Sequence, residues 1–291
     1  MGQIIRMRWP EGRLHAFTMS YDDGRMEDFR LASLMRRYGV KGTFNINTGL
    51  YWAEDRPDPE DRPNHRKMRH SEMVRFVEEY RDMAEIAVHA RTHRNLATLV
   101  FPQIIDELIT DRAAIEEDFG VICRGMAYPY GAENADVQRA LEACGLVYGR
   151  ATKPTKGFSL PENWLCLCPT CRHAAPELFS LLDEFLARKE TDAERPLLFY
   201  LWGHSYELDD DDQWDRMEDF LSRMGGRPEV WYATNIEIYD YAQAFGNLIW
   251  SVKGKRVTNP GAIPVFLMNY GSSSDTGTLY RIDPGATVEI V

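Results

Sequence analysis

Two adjacent carboxylates, Asp22 and Asp23, close the run His15-Ala16-Phe17-Thr18-Met19-Ser20-Tyr21 and are followed at once by Gly24. An apolar-rich run of this kind reads as a buried strand. Side chains alternate along a strand, so neighbouring aspartates converge on one place only if the chain turns, and Gly24 supplies that turn. Like charges this close repel, and a nearby cation relieves the repulsion. Taken alone, the motif also describes an ordinary Asp-Asp-Gly turn at the surface. The choice depends on what else the chain brings to the same end of the fold.

A second strand-like stretch, Glu85-Ile86-Ala87-Val88, runs into His89-Ala90-Arg91-Thr92-His93. If the backbone turns helical there, histidines four apart share a face and can grip a single ion. One aspartate and two histidines leave coordination positions open, as a catalytic zinc requires, and the same set suits non-haem iron. The other carboxylate of the pair is then free to take a proton from water. A hydrogen-bonded histidine pair in a core is the alternative. His89 falls at a strand end, where barrel active sites are built.

The elements that must position these groups alternate between strand and helix patterns, which predicts an α/β fold with a largely parallel sheet. Helical spacing runs from Glu27 to Tyr38, Ser71 to Met83, Gln103 to Phe119, Ala135 to Cys144, Pro176 to Arg188 and Gln213 to Met224. Strand patterns cover 15–22, 42–47, 85–89, 125–131, 146–152, 164–168, 196–202 and 230–235. Seven or eight strands with intervening helices suit a distorted (β/α)7-8 barrel. Trp52 to Arg69 is long and rich in proline and charge; such loops often form a lid or a wall, and a solvated insertion is the default reading. After about Leu248 the composition shifts to glycine, proline and serine, with β-rich pieces at 261–269 and 278–291 and a Pro-Gly turn at Asp283-Pro284-Gly285. The expected division is a barrel at 1–247 and a small C-terminal β appendage at 248–291 packed on it.

The ordered set Ser-Tyr-Asp-Asp-Gly (20–24), His-Ala-Arg-Thr-His (89–93), Tyr-Pro-Tyr-Gly (128–131) and Leu-Trp-Gly-His (201–204) resembles the polysaccharide deacetylases, carbohydrate esterase family four with its NodB-like domain. The resemblance covers roughly residues 14–240. It implies a distorted (β/α) barrel and metal-dependent removal of an acetyl group from an N-acetylated sugar. Carried onto this chain, it makes Asp22 the catalytic base and Asp23, His89 and His93 the ligands of a divalent ion, with zinc expected. Tyr130 matches the position whose backbone N–H stabilises the oxyanion, and His204 the histidine that protonates the leaving amine. Ala90 departs from the Ser or Thr usual in the second motif. Ala127 stands where the third motif has an arginine that steadies the catalytic aspartate; Arg150 and Arg124 are candidates to replace it, and Arg150, ending the next strand, is preferred. The fourth motif, whose aspartate tunes the acid histidine, is not identifiable, and the Trp164 to His173 region falls in its place.

Weaker candidates surround this set. Tyr206 and Glu207 read either as lining the substrate pocket or as capping or solvated residues. Trp202 and Trp231 read as core aromatics more than as sugar platforms, and Asp209 to Asp212 as a solvated loop with an N-cap. Cys166, Cys168, Cys171 and His173 lack the spacing of paired zinc knuckles, so a strand end is expected there. The odd cysteine count of five fits reduced thiols. A formal charge of -11 argues against nucleic acid or an anionic membrane as partner. No signal-like or membrane-spanning apolar run is evident, and the chain reads as cytoplasmic. The expected partner is an N-acetylated carbohydrate or another small amide, with the oligomeric state open. The rival functions are hydrolysis of a non-sugar amide and a non-catalytic carbohydrate- or partner-binding barrel.

Overall fold

The computed structural model describes residues 4–191, 195–270 and 277–291. After β1 (Ile4–Arg8) the chain lays down β2 (His15–Asp22), β3 (Gly42–Ile46), β4 (Ala84–Val88), β5 (Gly125–Ala127), β6 (Tyr148–Arg150), β7 (Cys171–Arg172), β8 (Leu197–Gly203) and β9 (Val230–Tyr232). From β2 to β9 these strands are parallel, in the order β6-β5-β4-β3-β2-β8-β7. One edge of β2 carries β8 along seven residues; its other partners are β9 at its start and β3 at its end. All eight residues of β2 are buried, as expected of a strand covered on both faces. The sheet is the curled wall of a distorted (β/α) barrel, as the alternating pattern predicts.

The helices follow the strands: α1 (Asp28–Arg37), α2 (His70–Tyr80), α3 (Phe101–Phe119), α4 (Ala135–Ala143), α5 (Leu178–Ala187), α6 (Ser205–Asp210), α7 (Trp214–Met224) and α8 (Asn235–Gly246). Their apolar faces make the main core; Phe17, Phe158, Phe185, Phe199 and Phe220 form one aromatic cluster within it. Because the strands are parallel, their C-terminal ends all open on one side. Asp22, His89, Arg150 and His204 lie at those ends.

The expected strand at 164–168 is instead a 3-10 turn over Trp164–Cys166. Asn163 caps it by accepting the Leu165 N–H, a local bond that draws the chain away from extension. The next residues do a strand's work. Leu167 bridges Arg150 on β6, while Cys171 and Arg172 pair with Leu201 and Trp202 on β8. One short stretch therefore links β6 to β8 and closes the wall.

The tail strands β10 (Ile249–Trp250), β11 (Arg256–Thr258), β12 (Val265–Tyr270), β13 (Thr278–Ile282) and β14 (Thr287–Glu289) form two three-stranded sheets, β10-β11-β14 and β1-β12-β13. The second sheet takes β1 from the opposite end of the chain, which the sequence pattern did not foreshadow. Arg8 of β1 and the next residue, Trp9, are fully buried; Tyr241 donates its hydroxyl to the Arg8 carbonyl, and Trp9 donates its indole N–H to the Leu197 carbonyl. These bonds fasten the appendage to α8 and β8. Among the described residues, no helix is long and apolar enough to cross a membrane.

Candidate active site

Asp23 and Gly24 both take positive φ, 85° and 59°, so the chain leaves β2 in a sharp turn. Aspartate tolerates this region better than most side chains. The turn separates the two carboxylates: Asp22 stays buried, while Asp23 is partly exposed. The histidine pair is brought together differently from the expected helical turn. Ala90 and His93 both have positive φ, 56° and 55°, and the His93 N–H donates to the Ala90 carbonyl. This tight turn places the two imidazole centroids 4.8 Å apart.

Asp23, His89 and His93 each present a ligand atom, and the three atoms lie within 4.8 Å of one another. His89 Nδ1 lies 2.8 Å from the Ala127 carbonyl, which holds the proton on that nitrogen. The buried Nε2 is then left as an acceptor, and it has no hydrogen-bond partner. Burial lowers the His89 pKa to about 4 and also lowers that of His93, so both rings are neutral near pH 7. Burial alone would raise the Asp23 carboxyl, but the charge of Lys67 leads the effects that outweigh it and hold Asp23 below the usual carboxylate range. Neutral imidazoles with an orphaned buried nitrogen beside an ionised carboxylate are the donor set a divalent ion takes. The donors fit zinc and do not distinguish it from non-haem iron.

A second layer supports these ligands. Asp111 on α3 accepts the His89 backbone N–H at 3.1 Å and the Thr48 N–H at 2.8 Å. Asn47 donates its amide to the carbonyls of His89 and Ala90. Lys67, from the long 52–69 loop, places Nζ 2.8 Å from the Asp23 carbonyl, 3.2 Å from its Oδ1 and 2.9 Å from Asn47 Oδ1. Sequence reading missed Lys67 and Asn47, since neither lies in a motif.

On the other side, Arg150 answers the question left by Ala127. It is fully buried, 128 residues from Asp22 in sequence, and its Nη2 donates to both Asp22 oxygens. Trp202 lies against the guanidinium, 4.7 Å from centroid to Cζ, so it serves this pair and is itself buried. Asn45 adds a bond of 2.9 Å to Asp22 Oδ1. Burial opposes the charge on Asp22, but Arg150, then His89 and His204, hold its carboxyl below the usual range. Arg124 is committed elsewhere, to Asp240 on α8.

His204 caps α6, and its Nδ1 lies 2.9 Å from Glu207 Oε1. Burial works against a charged ring, but the Glu207 bond and the Asp22 charge win and raise the His204 pKa above its ordinary value. Glu207 thus takes the capping role, one of those the sequence left open for it. Its oxygens serve His204 and Arg172, and His173 Nε2 stands 3.5 Å away. Arg172 and His173 come from the stretch that replaces the fourth motif. That stretch therefore reaches His204 through Glu207, in place of a carboxylate of its own.

Tyr130 sits in a Pro-Tyr-Gly turn with φ 60°; its exposed ring lies against His93, with centroids 4.8 Å apart. The turn's hydrogen bonds run from Gly131 N to Tyr128 O and from Ala132 N to Pro129 O. Tyr206 stands at the other rim, its ring 5.3 Å from that of His204 and beneath Arg25. Trp231 packs on Trp9 and Tyr241, among aromatics at the start of β2. Cys166 and Cys168 place their sulfurs 3.9 Å apart, and the only three-ligand group among the described residues is Asp23, His89 and His93.

A family model for polysaccharide deacetylases matches residues 12–149, just under half of the chain. Over that stretch the chain is similar to the polysaccharide deacetylases. The matched stretch holds Asp22, Asp23, His89, His93 and Tyr130, while Arg150 and His204 lie beyond it. A crystal structure assigned as a polysaccharide deacetylase from Mycobacterium smegmatis has a TM-score of 0.57 at 16% identity, covering 83% of this chain and 94% of that one. That likeness establishes the barrel fold well past the matched segment. A Streptococcus pyogenes deacetylase solved with acetate is 16% identical with a TM-score of 0.43, covering 51% of this chain and 61% of that one. A family-four pseudoenzyme from Bacillus anthracis is 18% identical with a TM-score of 0.46, covering 80% and 67%. The chain thus spans about six tenths of the length of the Streptococcus protein. No curated relative matches the sequence.

Proposed function

We propose that this chain is a metal-dependent deacetylase that removes the N-acetyl group of an N-acetylated sugar or short oligosaccharide. The observation that carries this reading is the disposition of Asp22. Its Oδ2 stands 3.9 Å from His204 Nε2 on one side and 3.9 Å from His89 Nε2 on the other. A base, an acid and a ligand set therefore face one small space at the strand ends.

Asp23, His89 and His93 would hold a divalent ion, zinc by expectation, which when bound supplies an electrophile for the amide carbonyl and lowers the pKa of water. The chain's own groups do the rest. Asp22, kept ionised by Arg150, accepts the proton of the attacking water. The Tyr130 N–H donates to the oxygen that gains charge as the carbonyl carbon becomes tetrahedral. An amine leaves poorly unless protonated, and His204, whose pKa Glu207 helps to raise, gives its proton to that nitrogen. The exposed ring of Tyr130 and the half-buried ring of Tyr206 flank the opening and suit a sugar face.

Acetate release from a panel of N-acetyl sugars and simple amides, with bound metal measured in parallel, tests the proposal. We expect release from a soluble N-acetylated sugar, lost together with a stoichiometric ion in His93→Ala. Release from simple amides alone would move the assignment to a non-sugar amide hydrolase. A protein that binds no divalent ion and releases nothing from the panel would overturn both.

A further inference from the structure

We propose that Lys67 is a built-in counter-cation for Asp23, which keeps the metal-free ligand set charge-balanced and sets the ion's affinity below what Asp23, His89 and His93 alone would give. The proposal rests on the metal reading of the site given above. It also assigns a purpose to the 52–69 loop, whose length the barrel does not require.

Lys67 is delivered by a fixed segment. The Met26 N–H donates to the Arg66 carbonyl at 3.0 Å, the Met68 N–H to the Gly24 carbonyl at 2.9 Å, and the Trp52 N–H to the Met68 carbonyl at 3.0 Å. Arg66 is buried and pairs with Glu72 and Asp58, which fastens the loop end to the start of α2. Nζ thus meets the Asp23 carbonyl, Asp23 Oδ1 and Asn47 Oδ1 together. Through Asn47 the same ammonium is linked to the backbone of His89 and Ala90. One side chain ties the turn that carries Asp23 to the turn that carries the histidines.

The charge count gives this contact its meaning. Each carboxylate that faces the site already has a cation from the chain: Arg150 for Asp22, Arg172 for Glu207 and Lys67 for Asp23. A divalent ion on Asp23 must share that carboxylate with an ammonium a few ångströms away, and the two cations repel. Without Lys67, the metal-free protein would hold a largely desolvated carboxylate with no cation, a costly state. An arriving ion would relieve that cost, so it would bind more tightly. Lys67 is therefore a positioning residue that stabilises the empty centre at the expense of the loaded one.

The test uses the full chain, stripped of metal and titrated with zinc against a chromophoric chelator. We expect Lys67→Met to melt at a lower temperature than the wild type when metal-free, yet to bind zinc about tenfold or more tightly. Lys67→Arg, which keeps the charge, should stay within about threefold of the wild type. If metal-free Lys67→Met is too unstable to titrate, refolding on addition of zinc supports the proposal and failure to refold overturns it. Unchanged or weaker zinc binding by Lys67→Met also overturns it, while wild-type binding abolished by His93→Ala leaves the metal reading standing. Absence of His93-dependent zinc binding in wild type and variant alike overturns both.

Discussion

The two flanks of the site hold charged side chains at strand ends in different ways. On the β2–β4 flank, every ligand belongs to a short local motif, and tight turns with positive φ at Asp23, Ala90 and His93 aim the side chains. On the β6–β8 flank, each charged group depends on a partner from another element: Arg150 on Asp22, Glu207 on His204, Arg172 on Glu207. Local turns give a geometry that survives changes elsewhere in the chain. Long-range ion pairs give a charge state, and that state can be rebuilt from new positions. Arg150 reaches Asp22 in the second way, and the turns at Asp23, Ala90 and His93 work in the first.

The largest effect that separates the flanks is expected from Arg150→Met. It leaves Asp22 buried without its cation, which should cost about 3–5 kcal/mol of stability in denaturant melts. Turnover should drop by about 10²–10⁴ as the base loses its orientation and ionised state. Zinc affinity should stay within a few-fold, because Asp23, His89 and His93 keep their turns. A matching collapse of zinc binding would show that the flanks are one unit. The double variant Asp22→Asn with Arg150→Met should recover much of the lost stability, and the size of that recovery measures the pair.

Glu207→Gln comes next. Turnover needs His204 protonated, so it falls as pH rises through the His204 pKa, which Glu207 helps to raise. Removing that charge should shift the alkaline limb of the pH–rate profile to lower pH and leave the acid limb, set by Asp22, in place. An unmoved alkaline limb would place the acid elsewhere. Tyr130→Phe is a smaller change still. Only the backbone N–H enters the chemistry, so kcat should stay within about twofold, with any loss confined to KM.

The same contrast explains what the sequence could disclose. The order of strands and helices, and the places of Asp22, Asp23, His89, His93 and His204, were readable because periodicity and motif spacing are local. Arg150 was readable only as one of two candidates, since nothing local says that it reaches back 128 residues to Asp22 while Arg124 turns to Asp240. Glu207 was readable only as a pocket residue or a cap, because its i,i+3 relation to His204 matters only once α6 has formed there. Lys67 was invisible, as a lysine inside a charged loop looks solvated until the loop's backbone bonds bring it home. The pairing of β1 with β12 was hidden for the same reason: it joins residues at opposite ends of the chain.

Glu85 offers the mildest probe, because the two flanks also meet around its side chain at the opposite end of the barrel. It lies on β4, four residues before His89, and accepts hydrogen bonds from Thr43 on β3, Tyr148 on β6 and the Ile236 N–H on α8. Burial pushes its carboxyl up to about 7, from an ordinary 4.5. Between those values the folded chain holds a proton that the unfolded chain has released. The stability this proton contributes is therefore fully present below about pH 4.5 and lost as pH rises through about 7. One site changes stability by at most about 1.4 kcal/mol per pH unit. Asp111 and Asp28, raised by burial to about 7 and about 8, add slopes of the same sign. Glu85→Gln should accordingly reduce, without abolishing, the fall in stability across this range, as measured by urea melts at stepped pH. It should leave the pH–rate limbs unchanged, because both are set at the other ends of the strands. A shifted limb in this variant would mean that the flanks are coupled through the barrel floor, and that the independence inferred for the ligand turns fails.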